Sequence, residues 1–320
     1  MRILLWKVHG SYTESFVRGD HRYLFVESDV HADGLGLGVR GELISDSDLS
    51  LDPPDVVVVQ RLEELSRCAD LGLALGSGVP AVFLEHNTPR QVPDARHPLA
   101  DRDGWTVVHV THFNRLIWDC GRTPTAVVEH GIVDPGARYT GAVPRAAFVV
   151  NEPVRRSRVT GADLLTRFVP DVEVDCFGID ADQLAPALGV PGRRLRYSGN
   201  LSMNELHQAM AQRRLYLHLN RWTSLGLSLL EAMHLAMPVV VLGATEAYRA
   251  VPPEAGCIST DPDELVRAAR ALLADPDHAR ACGRAARTYA LEHYGLEKFL
   301  RSWDEVLQQA VDRRRGRVIP

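Results

Sequence analysis

The segment from Arg221 to Val241 concentrates the residue types that could do chemistry. Thr223, Ser224, Leu225 and Gly226 make a polar turn with one glycine. An apolar helix over 227–237 follows, and Pro238 stops it before a buried strand of Val239, Val240 and Val241. Glu231 is the one carboxylate of that helix, set among Leu, Ala and Met. A buried charge without a partner is costly, so Glu231 must reach water or face a polar group. A helix start beneath a glycine turn offers unpaired N–H groups and a positive dipole end, which suit a phosphate. A carboxylate one turn further in accepts hydrogen bonds from ribose hydroxyls. Phosphate and ribose together describe a nucleotide-sugar site. The plainer alternative is a solvent stripe, because Ser228, Glu231 and His234 share one helix face at i, i+3 spacing.

Such a turn must be held by a sheet, and the chain offers the strands. Short runs of Val, Leu and Ile recur at 3–8, 22–26, 56–60, 81–84, 106–110 and 126–128, then at 146–150, 172–177, 195–197, 215–219, 239–242 and 257–259. They are continuous rather than alternating, the pattern of strands buried on both faces in parallel sheets. Helical patterns fall at 62–75, 113–120, 162–168, 204–213, 227–237, 263–274 and 278–293. Strand–helix alternation, twice over, implies an α/β protein with two doubly wound domains. Gly and Pro concentrate at 131–141, and the division is placed between 1–143 and 144–295. A last amphipathic helix starts at Leu296, with Phe299, Leu300, Trp303, Val306, Leu307 and Ala310 on its apolar face. The basic stretch 313–317 that follows reads as a solvated end.

Composition narrows the function classes. The 320 residues are 45% hydrophobic and 24% charged, as in globular proteins. A formal net charge of −5 argues against a nucleic-acid binder. Five scattered cysteines with no CxxC spacing suggest reduced thiols in a cytoplasmic setting. The apolar run at the amino terminus is too short for a signal peptide, and no run reaches the length of a membrane span, so membrane contact is expected to be peripheral at most. Thirteen histidines include no H-E-x-x-H, and there is no G-x-S-x-G elbow and no P-loop. The glycine-rich run 34–38 follows no convincing strand and reads as a loop.

These residues resemble a glycosyltransferase of the GT-B fold, in the large retaining family 4 class. The resemblance is closest over 145–300. The family carries an E-x7-E motif whose two acids touch the donor. Glu231 matches the second, followed by Ala232, Met233, Pro238 and Val239, while Thr223 stands eight residues earlier in place of the first. Tyr197, Ser198, Gly199, Asn200, Leu201 and Ser202, leading to Glu205 and Leu206, are similar to the family's strand–Gly–x–Leu–Ser segment beside the nucleobase. Asp175 to Gly178 resembles the preceding strand, and Val127 to Val133 the segment before the second domain. In the family's Gly-Arg-Leu-x-x-x-Lys-Gly motif, aligned on Gly161, Arg155 takes the Arg place and Thr160 the Lys place. Arg156 and Arg158 stand close enough to supply the missing charge. Gly10, after His9, resembles the family's glycine loop against the donor, and His86 the histidine that reaches the donor sugar.

The resemblance implies two Rossmann-like domains facing a central cleft, with the acceptor mostly on the first and the donor mostly on the second. The last helix is expected to pack back on the first domain. It further implies hexosyl transfer from a nucleotide-diphosphate sugar to a hydroxyl of a small-molecule, glycan or glycolipid acceptor, with retention at the anomeric carbon. No cofactor and no metal are implied. Catalysis falls to His86, Arg155 and Arg156. Donor binding falls to Gly10, Arg158, Gly199, Asn200, Leu201, Thr223, Ser224, Leu225, Gly226, Leu227 and Glu231. Two alternatives stay open: a nucleotide-sugar epimerase or hydrolase, and a non-catalytic GT-B binding or regulatory protein.

Overall fold

Strands buried on both faces must carry apolar side chains in both pleat directions. In β1 (Arg2–Leu5), Ile3 and Leu5 enter one core layer while Leu4 enters the layer on the other face. The sheet continues with β2 (Arg22–Val26), β3 (Gly41–Ile44), β4 (Val56–Val59), β5 (Ala81–Glu85), β6 (Trp105–His109) and β7 (Thr125–Val127). Their order is β3-β2-β1-β4-β5-β6-β7, and every pair is parallel, with Leu4 opposite Leu24 and Val57. A second parallel sheet is built from β8 (Val143–Val149), β9 (Val174–Phe177), β10 (Leu195–Tyr197), β11 (Arg213–His218), β12 (Val239–Leu242) and β13 (Gly256–Ser259). Its order is β10-β9-β8-β11-β12-β13, with Leu217 opposite Val240. In this computed structural model, residues 1–30, 41–92, 95–314 and 316 are described.

The chain divides into two units: Met1–Gly131 together with the chain from Leu296 onward, and Ile132–Gly295. The dividing point therefore precedes the one read from the sequence, after 143. Backbone bonding explains the difference. Ile132 N–H donates to Tyr294 O, Tyr139 N–H to Leu235 O and Thr140 N–H to Ala211 O, which ties 132–140 to the second unit. The helix Leu296–Arg314 belongs to the first unit and buries Phe299, Trp303, Val306, Leu307, Ala310 and Val311 in its core. Trp303 Nε1 donates to the Tyr12 hydroxyl at 3.0 Å. Gly131 has to be glycine there, because a Cβ would collide with the Phe299 ring.

Strand β3 has no counterpart in the sequence reading. It holds one glycine and one glutamate, sits at the sheet edge and leaves Leu43 exposed, so its apolar signal is weak. The helix expected over 227–237 ends earlier, as Leu227–His234, because Ala236 turns the backbone to φ 68° two residues before Pro238. The run 34–38 lies outside the described residues. All five cysteines are thiols. Among the described residues no helix is long and apolar enough to cross a membrane.

Candidate functional site

In an all-parallel sheet every loop after a strand emerges at one edge, and ligands bind where the strand order reverses. In the second sheet the reversal lies between β8 and β11. The loop after β8 carries Arg155, Arg156 and Arg158, and the loop after β11 carries Thr223 to Gly226. Backbone hydrogen bonds join the two: Arg221 and Trp222 N–H both donate to Val159 O, at 2.8 and 3.3 Å. Gly161 permits this approach, since a Cβ there would overlap the Leu219 carbonyl. The loops after β9 and β10 are tied to the same edge. Glu152 N–H donates to Ile179 O, Asn151 Oδ1 accepts from Ile179 N–H, and Gly178 N–H donates to Gly199 O. The expected donor-binding residues of the second unit are thus brought to one edge of one sheet.

Gly226 caps the helix Leu227–His234 with extended backbone. It cannot carry a side chain without displacing His218, since a Cβ would lie 2.5 Å from His218 Cε1 and 3.4 Å from Asn220 Nδ2. Ser224 is buried and its carbonyl accepts from Thr245 Oγ1 at 3.3 Å, while Leu225 and Leu227 pack on the core. Thr223 is half-buried. Leu201 packs on the same core, and Gly199 sits at φ 113°, where only glycine is unstrained. Asn200 is exposed. Glu231 does not lie on a solvent stripe. It is buried, and its partner is His207 Nε2 at 3.5 Å.

The arginines differ from one another. Arg155 is exposed and pairs with Glu152, whose carboxyl that hydrogen bond pulls below its ordinary range. Arg158 pairs with Asp163 at 2.9 Å, and Arg221 grips the same carboxylate through both terminal nitrogens. Burial works against the charge on Asp163, but Arg221 and Arg158 outweigh it and hold the group below its usual range. Arg156, half-buried, has no ion pair or side-chain hydrogen bond among the described residues. Thr160 is buried and donates back to Arg156 O, so it is spent on its own helical turn. Asp175, fully buried on β9, is a structural anchor for Arg145, Arg196 and Arg213.

In the first unit the strand order reverses between β1 and β4, and the loops there carry His9, Gly10 and Gln60. Gly10 needs no glycine for packing, because a Cβ would meet nothing within 4 Å. Gln60 Nε2 donates to Trp6 O at 2.6 Å, and its Oε1 accepts from His86 Nε2 at 2.8 Å. The His86 ring stands edge-on to His9 and to Tyr12, with centroids 4.4 and 4.8 Å apart. Burial, with His9 and His130 nearby, holds His86 well below the ordinary imidazole range, so it is neutral at pH 7. Burial likewise brings His130 down to about 4, and neither of its ring nitrogens has a partner among the described residues. Among the described residues no group of three His, Cys, Asp or Glu side chains is placed to hold a metal.

The sequence reading missed His207, His218, Gln60 and His130. Each lies on a different element from the residue it touches, so no local spacing announces it. For His218 there was one usable signal: it ends the strand that leads into the glycine turn.

A family model described as glycosyl transferase-like matches residues 138–305. No curated protein sequence matches the chain significantly. Among solved structures, the chain is similar to HepE of Anabaena in complex with UDP, at 14% identity over 97% of this chain and 100% of that one, TM-score 0.71. It is also similar to a sucrose-phosphate synthase from Thermosynechococcus elongatus, at 14% identity over 96% and 98%, TM-score 0.70. Against TarM of S. aureus the identity is 13% over 82% of this chain, TM-score 0.64, and the chain spans 58% of that protein. These likenesses place the two parallel sheets in the GT-B architecture of two Rossmann-like units.

Two outcomes follow from His218. Gly226→Ala should cost about 1–3 kcal/mol by overpacking. Combining it with His218→Ala should cost less than the sum of the single changes, as read by denaturant unfolding. Burial also lowers His218 from 6.5 to about 4. The folded ring resists a proton that the unfolded one accepts, so its contribution is complete above pH 6.5 and declines as pH falls toward 4. Unfolding midpoints of wild type should drop over that window, and less steeply in His218→Asn.

Proposed function

The chain belongs to the glycosyl transferase-like family, and from that premise we propose that it moves a sugar from a nucleotide-diphosphate donor to an acceptor hydroxyl, with retention at the anomeric carbon. The observation that carries this reading is the backbone junction of Val159 with Arg221 and Trp222. It sets Arg156, whose guanidinium has no ion pair or side-chain hydrogen bond among the described residues, beside the turn that leads into the helix at Leu227, at the reversal of a parallel sheet. The diphosphate is assigned to Arg156 and to the N–H groups that follow Gly226. Glu231 takes the ribose hydroxyls, Thr223 the donor sugar, and Gly199 to Leu201 flank the base. The acceptor is assigned to the first unit, near His9 and His86, where neutral imidazoles suit hydroxyl groups.

In the proposed step the bond from the anomeric carbon to the phosphate oxygen breaks while the acceptor oxygen bonds to the same face. The acceptor proton passes to the departing phosphate oxygen. Arg156 and the helix start stabilise the charge that develops on the diphosphate, the part a divalent cation plays elsewhere. A hexose is the sugar the resemblance points to, and HepE, a structural neighbour, is described in complex with UDP-glucose. Arg155 and Arg158 are assigned a supporting place only, since each is held by a carboxylate of the protein. One observation favours a non-catalytic binder: Thr160 is buried and back-bonded, so that position brings no charge to the donor.

Thermal shift with UDP, GDP, ADP, CDP, dTDP and their sugar conjugates decides the donor. A ligand at a hundred times its dissociation constant adds about 2.7 kcal/mol. Glu231→Ala should weaken the active nucleotide by about 1.5–3 kcal/mol, the range for hydrogen bonds to a charge. Turnover of that donor should persist in excess chelator. Binding without any turnover across acceptors would instead favour the non-catalytic reading, and no binding at millimolar nucleotide would overturn both.

A further inference from the structure

Glu231 and His207 meet where the helix Met203–Gln212 packs against Leu227–His234. Both side chains are more than nine-tenths buried. Buried carboxylates are ordinarily saturated with donors, having room for about four. The Glu231 carboxylate accepts no hydrogen bond from any described residue, and its one contact of ion-pair length is His207 Nε2, 3.5 Å from Oε2. His207 Nε2 is itself buried without a hydrogen bond. The neighbouring polar groups are committed elsewhere. Tyr216 donates its hydroxyl to Ser228 Oγ, and His234 Nδ1 donates to Leu230 O. Arg287 holds Asp134 and the His234 carbonyl, and Glu205 is spent on Ser202 in a capping box. Among the described residues, His207 Nε2 is the one cationic or imidazole group within 4 Å of the Glu231 carboxylate.

We propose that His207 is a positioning residue for nucleotide binding: it fixes one oxygen of Glu231 so that the other is presented to the ribose hydroxyls. The proposal rests on the ribose role given to Glu231 above. The choice of side chain fits the task. A guanidinium would engage both carboxylate oxygens in a fork and leave nothing for a ligand, whereas an imidazole N–H engages one. The remaining oxygen and its unused lone pairs match the donors of a ribose. His207 touches no substrate and acts only through Glu231.

The test is calorimetric titration of wild type, His207→Leu, His207→Gln and Glu231→Gln with UDP, GDP and ADP and with the 2′-deoxy form of each. Unfolding curves confirm that each variant is folded. Wild type should prefer the ribonucleotide it binds over its 2′-deoxy form by roughly tenfold. His207→Leu should bring that ratio close to one, weakening the ribonucleotide clearly more than its 2′-deoxy form. His207→Gln, which keeps an N–H donor, should recover most of the preference. A folded His207→Leu that keeps the wild-type ratio, or that weakens both forms equally, overturns the positioning role. A wild type that does not discriminate, or binds no nucleotide, overturns the ribose reading of Glu231 and the proposal with it.

Discussion

All-parallel hydrogen bonding in the two sheets is the constraint on which the rest of the molecule depends. Parallel neighbours require a crossover between strands, so each sheet is covered on both faces and the central strands spend their side chains on two core layers. Ile3, Leu5 and Val58 serve one layer of the first unit while Leu4, Val57 and Val59 serve the other. The same constraint sends every strand's following loop to one edge. Function can then be concentrated there without disturbing the core. At the β8/β11 reversal that crowding leaves no room for a Cβ at Gly161, against the Leu219 carbonyl, at Gly226, against the His218 ring, or at Gly178, against the Val150 carbonyl.

What the sequence made legible follows from how local each signal is. Continuous Val, Ile and Leu runs mark buried strands, and twelve such runs announce strands that the structure contains. The apolar stripe of the last helix, from Phe299 to Ala310, was equally plain. Edge strand β3 was not, because no residue of it is buried and its composition reflects that. The division point at Gly131 was displaced for another reason. Gly and Pro mark where the chain bends, but which unit owns 132–140 is decided by hydrogen bonds to Tyr294, Leu235 and Ala211, far along the chain. In the site, the glycine turn and Glu231 stood out by type and spacing. The choice among Arg155, Arg156 and Arg158 could not be read there, because it depends on Glu152 and Asp163.

Charge placement separates anchoring from function in the second unit. Asp175 is fully buried, yet Arg145, Arg196 and Arg213 surround it and it stays below the usual carboxyl range. Removing Asp175 would leave the buried guanidiniums of Arg145 and Arg213 without this counter-charge, so the cluster serves the fold. Asp163 is treated in the same way by Arg158 and Arg221. Glu231 is also buried but has only an imidazole at 3.5 Å. Nothing in folding favours so sparse an arrangement over an apolar residue among Leu229, Leu230, Ala232 and Met233. An incompletely satisfied carboxylate among these apolar side chains is a cost to folding, which the proposed ribose contact would offset. The protein surrounds one buried acid with arginines and leaves the other a single imidazole contact, and it is to this second acid that the ribose is assigned in the proposed function.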